Sequence, residues 1–423
     1  MNISKLIKIV APDVSVNIRP GLHHFAREKD GMICRFHLRV DSAGDGLLVA
    51  NAAAMARLAP SGVVIAKALL EGNERSAIVA RLKKMFRGAS AERIAADVAA
   101  VERMIARMES PDDGYPILNL ADPALGPKSL PLERPIMADV PLCEPARAAR
   151  VMERLWALGI PHVVFIAPAD CNESHLTQAV ERGSDLGLIT GVRGRGSDLA
   201  AANRVADMAA AGLDHLDVYC FSAEERSHDA FAGQGDCTMA LRALSAARNC
   251  EVCAVAQLAL VRSTLDSIER LLETLAGRGI ENASIFAIAA AENEANAAEP
   301  LAADELPPAA AIVEEAAERA GMRLTWQPTV RFDPSAPLAE QLCRGPRTSG
   351  DWSIRVEPDG AVFLPRGPAA SAGNLLEDDW ATIANSEPFA AYRRRLASDT
   401  HCDDCPGLAI CAADCPREPA GWG

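Results

Sequence analysis

The chain has few aromatic residues and no excess of positive charge, and both shortages limit what it can bind. Aromatic residues make up only 4% of its 423 residues, and the formal net charge is −14. Proteins that bind nucleic acids usually need a basic face and often stacking aromatics, so we do not expect this class of partner. No apolar run approaches the roughly 18 residues that a membrane span needs, so we expect no membrane segment either.

The N-terminal residues also lack the features of a secretory signal. They contain two lysines and a short apolar stretch, without a full hydrophobic region or a small-residue cleavage site. We therefore expect a mature, cytoplasmic protein. Hydrophobic residues make up 49% of the chain, which is enough to bury a core in two or three domains.

Cysteine is abundant, with 12 residues, and four of these lie close together near the end of the sequence. Their spacing is C-x2-C-x5-C-x3-C, formed by Cys402, Cys405, Cys411 and Cys415. Reduced cytosolic thiols clustered in this way indicate metal binding more than disulfides. Thiolates suit either an iron–sulfur cluster or a zinc ion, and four buried core cysteines are the alternative.

Residues 1–110 form the first predicted domain. Alternating apolar and polar residues predict a strand over 32–41, and residues 46–51 are a second strand candidate. Helical patterns follow over residues 52–58, 62–70, 76–86 and 91–108. This order predicts a small winged-helix-like module. Residues 111–135 are rich in proline and glycine and predict a linker.

From residue 136 the pattern changes to strands that alternate with amphipathic helices. The strand-like runs lie at 136–142, 162–167, 186–192, 215–222, 251–260 and 283–289. The helices lie at about 145–158, 173–184, 197–211, 237–248, 265–277 and 308–320. Six β-α units in succession predict an α/β fold with a parallel sheet. The count favours a six-unit partial (β/α) barrel over residues 136–330, with an open doubly wound sheet as the runner-up.

Residues 331–423 form a last, loop-rich and cysteine-rich predicted domain. A β-hairpin is predicted over 352–365, where Asp359-Gly360 is a turn signal between apolar runs. Further motifs then follow along the chain: Gly373-Asn-Leu, Trp380-Ala-Thr-Ile and the cysteine quartet.

This order of segments resembles radical S-adenosylmethionine (SAM) peptide-modifying proteins of the SPASM class. His228-Asp-Ala-Phe-Ala-Gly-Gln-Gly-Asp looks like the family segment that follows the fourth barrel strand. Cys343-Arg-Gly, the hairpin and the quartet match the family's C-terminal order. The N-terminal module resembles the peptide-recognition (RRE-like) domain of enzymes that modify ribosomally made peptides (RiPPs). A winged helix that binds DNA is the alternative, and the acidic charge disfavours it.

The resemblance adds Cys343 to the candidate metal ligands, beside the quartet Cys402, Cys405, Cys411 and Cys415. A further cysteine that the family carries after the hairpin is replaced here by Leu364-Pro365-Arg366, and no cysteine follows the quartet. Two complete all-cysteine clusters are therefore excluded. We expect one metal site at most, either a [4Fe–4S] cluster or zinc.

The residues for radical chemistry are missing. The family holds its SAM-binding cluster with C-x-x-x-C-x-x-C after the first barrel strand, where this chain has only Cys143. The family's Gly-Gly-Glu, which binds the SAM ammonium group, is replaced by Ala167, Pro168 and Ala169. The carboxylate is lost, and the proline removes a backbone donor. We therefore expect no reductive SAM cleavage by this chain alone and do not expect SAM as its cofactor.

Two functions follow from these expectations. The first is a catalytically degenerate partner that binds a peptide or protein substrate and pairs with an active radical SAM maturase, or with a second copy of itself, in peptide modification or cofactor maturation. The alternative is an iron–sulfur enzyme or electron carrier that uses the C-terminal cysteine site.

Four other segments have candidate roles and simpler alternatives. Cys250-x-x-Cys253 has redox-like spacing, or consists of two core cysteines. His23-His24 is a metal-ligand candidate, or a solvated turn after Pro20-Gly21. Gly191-Val-Arg-Gly-Arg-Gly is either an anion cradle or an ordinary turn. His228-Asp229 has the chemistry of an acid–base pair, although the resemblance makes it an element of the barrel mouth.

Overall fold

The computed structural model describes residues 18–29, 32–51, 54–86, 88–109, 134–142, 144–167, 173–201, 203–290, 299–302, 304–327, 329–346, 353–364 and 370–397. The chain divides into two compact units, residues 1–118 and 119–423. Most of the predicted linker, 111–135, lies outside the described residues. Within the ranges given, none of the helices combines the length and apolar character that a membrane crossing requires.

The N-terminal unit consists of an antiparallel sheet followed by three helices. Its strands are β1 (Gly21–Lys29), β2 (Met32–Val40), β3 (Gly46–Ala50) and β4 (Ala54–Leu58), hydrogen-bonded in that order. The helices are α1 (Pro60–Leu70), α2 (Arg75–Met85) and α3 (Ala91–Glu109). The core forms where one face of the sheet, including Phe36 and Leu48, packs with Val98 and Ile105 of α3. The three helices predicted after residue 60 are confirmed.

Two local predictions for this unit are wrong. The predicted helix 52–58 is strand β4 in its described part, because Ala54–Leu58 pairs with β3 along its whole length. Alanine, methionine and leucine favour helices, but pairing within a sheet overrides so weak a preference. His23 and His24 do not form a turn, because β1 pairs with β2 continuously from Gly21 onward.

The second unit contains the β-α repeats. Its first six strands are β5 (Met137–Pro141), β6 (His162–Ile166), β7 (Ile189–Gly194), β8 (His215–Cys220), β9 (Cys253–Leu260) and β10 (Asn282–Ala289). The helices among and after them are α4 (Pro145–Leu158), α5 (Glu173–Leu186), α6 (Gly196–Leu199), α7 (Arg204–Ala210), α8 (Glu225–Ala232), α9 (Asp236–Asn249), α10 (Arg262–Leu265), α11 (Ile268–Ala276) and α12 (Leu306–Ala320). The remaining elements are β11 (Arg323–Trp326), β12 (Val330–Arg331), α13 (Leu338–Arg344), β13 (Ser353–Val356), β14 (Val362–Phe363), α14 (Trp380–Ala384) and α15 (Glu387–Ala397).

Strands β5 to β10 lie side by side in sequence order, and each pairs with the next in parallel. The predicted α/β fold with a parallel sheet is therefore confirmed. A doubly wound sheet reverses its strand order at a switch point, so the unbroken order supports the partial barrel over the runner-up. On β6, Val163 and Phe165 share the core with Leu155 of α4 and Leu176 of α5.

The described part of the C-terminal region extends this sheet. Strand β13 pairs in parallel with β5, and β14 pairs with β13 in the antiparallel hairpin that the sequence predicts. Arg154 of α4 donates hydrogen bonds to the carbonyl oxygens of Leu375 and Asp378, at 3.0 and 2.8 Å. Ile354 and Leu375 belong to the same hydrophobic core as the barrel strands. Residues 353–397, as far as they are described, thus pack on the barrel.

Candidate site in the barrel interior

Five of the polar side chains on the face of the barrel strands that points away from the helices lie close together. They are Asp139 of β5, His162 of β6, Arg193 of β7, and His215 and Asp217 of β8, and none is more than 7% exposed. Their positions follow from strand geometry, because side chains alternate between the two faces. On β5, for example, Ala138 and Val140 join the helix-facing core, so Asp139 between them faces the interior.

These side chains form one continuous hydrogen-bonded network. Arg193 donates from Nη1 to Oδ2 of Asp139 at 3.1 Å and from Nε to Oδ2 of Asp217 at 3.2 Å. Nδ1 of His215 lies 2.8 Å from Oδ1 of Asp217, and its Nε2 lies 2.8 Å from Nε2 of His162. The bonds cross the interior from β5 to β7 and from β6 to β8. Buried charges are tolerated only with such partners.

The two carboxyl groups respond differently to burial. Burial raises the pKa of Asp139, and attraction to Arg193 offsets this only in part. Burial alone would also raise the pKa of Asp217, but His215 and Arg193 together hold it below its usual value. For Arg193, burial favours loss of charge, yet attraction to Asp139 and Asp217 raises its pKa above the usual value. Arg193 is therefore a permanent cation inside the barrel.

The glycine-rich segment 191–196 packs closely against its neighbours. A Cβ on Gly191 would lie 2.1 Å from Nε2 of His215, and a Cβ on Gly196 would lie 2.0 Å from the backbone nitrogen of Ala240. The amide of Ser197 already donates to Oδ1 of Asp236 at 2.7 Å. These glycines thus allow close approach within the protein, which favours neither the anion cradle nor an ordinary turn.

His228 and its neighbours form hydrogen bonds that fix the segment after strand β8. The ring of His228 accepts from the amide of Phe221 through Nδ1 at 3.2 Å, which leaves Nε2–H to donate to Oδ2 of Asp236 at 3.0 Å. Burial would raise the pKa of Asp236, but the bonds from His228 and Ser197 hold it below its usual value. Asp229 accepts from the amides of Gly235 and Cys237. These bonds connect Phe221, which follows β8, with α8, α9 and α6, so His228 and Asp229 hold the backbone of this segment in place.

The positions that matter for SAM chemistry follow strands β5 and β6 in the sequence. Strand β5 ends at Pro141 and α4 begins at Pro145, so only residues 142–144 connect them. Cys143 is the one cysteine of that connection in the sequence. Ala167 follows β6 and is buried, whereas Cys143, Pro168 and Ala169 lie outside the described residues.

Of the five predicted metal ligands, the structure describes Cys343 alone. Its thiol donates to the carbonyl oxygen of Phe231 at 3.6 Å. Burial raises its pKa to about 11, against the opposing effect of Arg195. The quartet Cys402, Cys405, Cys411 and Cys415 lies outside the described residues. In the parts of the chain that are described, no three His, Cys, Asp or Glu residues are placed to hold a metal, and the C-terminal site stays a prediction.

Two further candidates are only partly buried. Cys250 and Cys253 are of intermediate exposure, and Cys250 packs against the barrel core, which favours the simpler interpretation for that residue. His24 lies opposite His37 in the sheet, with ring centroids 5.0 Å apart.

Sequence reasoning missed the interior network itself. A signal was present, because Asp139 and Arg193 are single charged residues within otherwise apolar strands. Charged residues are almost never fully buried unless paired. What the sequence does not give is which strand supplies the partner.

Comparison with known proteins identifies the fold. No protein-family model matches the sequence, and a search of curated proteins also finds no match. Among solved structures, Streptococcus suis SuiB bound to S-adenosylmethionine is similar, with a TM-score of 0.56, 10% identity, and coverage of 95% of this chain and 100% of SuiB. SuiB bound to its precursor peptide SuiA gives a TM-score of 0.54 at 10% identity, covering 91% and 96%. At this identity the likeness shows the fold alone, and it agrees with the partial barrel described above.

Proposed function

We propose that this chain binds a peptide and works beside an active radical SAM enzyme, without cleaving SAM reductively by itself. The likeness to SuiB over nearly the whole of both chains supports the peptide-modifying context. SuiB binds a precursor peptide, and we transfer that class of substrate to this chain as part of the proposal.

The observation that carries the proposal is the short connection between β5 and α4. Its three residues include one cysteine, whereas the family's C-x-x-x-C-x-x-C motif alone spans eight positions. A cluster with one open iron needs three thiolate anchors. The connection has neither the length nor the ligands, so the residues present do not fit that cluster.

The barrel interior supports the same conclusion. Its space between β5, β7 and β8 holds the ion pairs of Arg193 with Asp139 and Asp217. All three residues are less than 5% exposed. Charged side chains that are buried and paired with one another in this part of the interior favour a scaffold over a reaction chamber.

The N-terminal unit is the proposed peptide-binding part. In the described residues, β1 and β4 are the edge strands of its sheet. An edge strand presents unpaired backbone groups, and an extended peptide can add to it as a further strand.

The catalytic claim is tested by anaerobic incubation of the pure chain with SAM and dithionite. We expect no 5′-deoxyadenosine above a protein-free blank, while an active radical SAM enzyme in a parallel tube confirms the reagents. Formation of 5′-deoxyadenosine in proportion to the amount of this chain would overturn the proposal.

The binding claim is tested by hydrogen exchange with a short peptide encoded beside the gene. We expect slower exchange in β1 or β4 and no change with a scrambled peptide of the same composition. If slowing occurs only in the second unit, the N-terminal unit is not the peptide site.

A further inference from the structure

The charges inside the barrel do not balance. Two carboxyl groups, Asp139 and Asp217, are paired with the one guanidinium of Arg193. Arg355 of β13 also attracts Asp139, but its Nε donates to Oε1 of Glu357 at 2.5 Å. With every carboxyl ionised, the network therefore carries one uncompensated negative charge. Burying such a charge is costly, and groups in this position tend to neutralise instead.

The histidines do not need an added proton to complete their hydrogen bonds. Nδ1–H of His215 can donate to Asp217, and Nε2 of His215 can accept from Nε2–H of His162. Both bonds form with two neutral imidazoles. With both imidazoles neutral, the proton that balances the charge lies on one of the carboxyl groups.

The two carboxyl groups differ in how many of their oxygens accept hydrogen bonds. Asp217 uses both, Oδ1 toward His215 and Oδ2 toward Arg193. Asp139 uses only Oδ2, and its buried Oδ1 has no hydrogen-bond partner among the residues that the structure describes. The groups that face Asp139 from neighbouring elements are Arg193 of β7, Asp217 and Tyr219 of β8, and Arg355 of β13.

We propose that the folded barrel retains one proton on Asp139 at neutral pH, so that the second unit loses stability as the pH rises. A proton needs no extra room, whereas a metal ion or an amine ligand would need space beside Asp139, which is only 1% exposed. Asp139 lies on β5, the strand that pairs with hairpin strand β13. Deprotonation thus weakens the strand to which the C-terminal region is attached.

The sign follows from linkage. The pKa of Asp139 is raised in the folded state, whereas an unfolded aspartate has a pKa of about 3.9. Above that value the unfolded chain releases a proton that the folded chain keeps. The unfolding equilibrium constant therefore rises with pH, by up to about tenfold per pH unit for one proton, until the folded state deprotonates as well.

The test compares wild type with Asp139→Asn, which keeps the shape of a neutral carboxyl group. Urea unfolding of the full chain is followed between about pH 5 and about pH 8. Over this range one proton can change the unfolding constant by up to about tenfold per pH unit. We expect the unfolding constant of the variant to rise with pH less steeply than that of wild type. Asp185→Asn, at an exposed aspartate of α5, is the matched control and keeps the wild-type slope.

A second measurement needs no variant to fold. The infrared spectrum of the wild-type protein near neutral pH should contain a protonated carboxylic acid band that shifts in heavy water. Its absence, or equal slopes for wild type and Asp139→Asn, would overturn the proposal. So would a stability at high pH that depends on potassium or sodium concentration at fixed ionic strength, since a bound cation would then balance the charge.

Discussion

Replacing Gly191 with alanine should destabilise the second unit strongly, because one added carbon displaces the His215 ring. The new Cβ would lie 2.1 Å from two ring atoms, far inside carbon contact distance. Gly191 is not among the residues with positive φ, so alanine adds no backbone strain. The displaced ring loses its 2.8 Å bonds to Asp217 and His162. The bond to the charged Asp217 is worth about 1.5–3 kcal/mol and the bond between the two rings about 0.5–1.5 kcal/mol, so the expected loss is about 2–4.5 kcal/mol.

The assay is urea unfolding of four proteins: wild type, Gly191→Ala, His215→Ala and the double variant. His215→Ala removes the ring that the added carbon strikes, so Gly191→Ala should cost less than about 1 kcal/mol in that background. An equal cost in both backgrounds would refute the reasoning, because the ring contact would not be its source.

Three further predictions concern other buried groups. Arg193→Met leaves two buried carboxyl groups without their cation and should lower the free energy of unfolding by about 3–5 kcal/mol, whereas Arg182→Met, at an exposed ion pair, should cost less than about 1 kcal/mol in the same urea titration. The pKa of Asp236 is lowered in the folded state, so the ionised carboxylate stabilises the fold above about pH 4, and this stabilisation is lost as the pH falls further. Asp236→Asn should therefore make the melting temperature depend less on pH in the acid range. An unchanged dependence would show that Asp236 is not its source. Cys343, with a pKa of about 11, should react slowly with iodoacetamide at neutral pH and faster as the pH rises, as mapped by mass spectrometry; rapid labelling at neutral pH would show a thiolate instead.

Elements with strong local signals were predicted well. The predicted helix 145–158 matches α4, which begins with Pro145 and ends at Gly159 with φ of 78°. Proline in the first turn and glycine in a left-handed C-cap are both local signals. The predicted strand 162–167 likewise matches β6 to within one residue.

Elements whose form depends on distant partners were predicted less well. Residues 54–58 have helix-forming side chains, yet β3 recruits them into the sheet. The predicted helix 197–211 is in fact α6 and α7, with Asn203 at a φ of 66° before the second of them. The short α6 packs tightly on α9 through Gly196, a contact that no local pattern reveals.

The sequence by itself determined the succession of β-α units and the presence of only one cysteine in the connection between β5 and α4. Periodicity, turn residues and residue identity are all local properties. Only the tertiary structure decided what the barrel interior contains. Arg193 meets Asp217 and Asp139 from 24 and 54 residues away along the chain. Strand alternation places each of these side chains on the interior face, but the register and curvature of the sheet determine which of them meet. That geometry is also the reason why Oδ1 of Asp139 has no hydrogen-bond partner among the described residues.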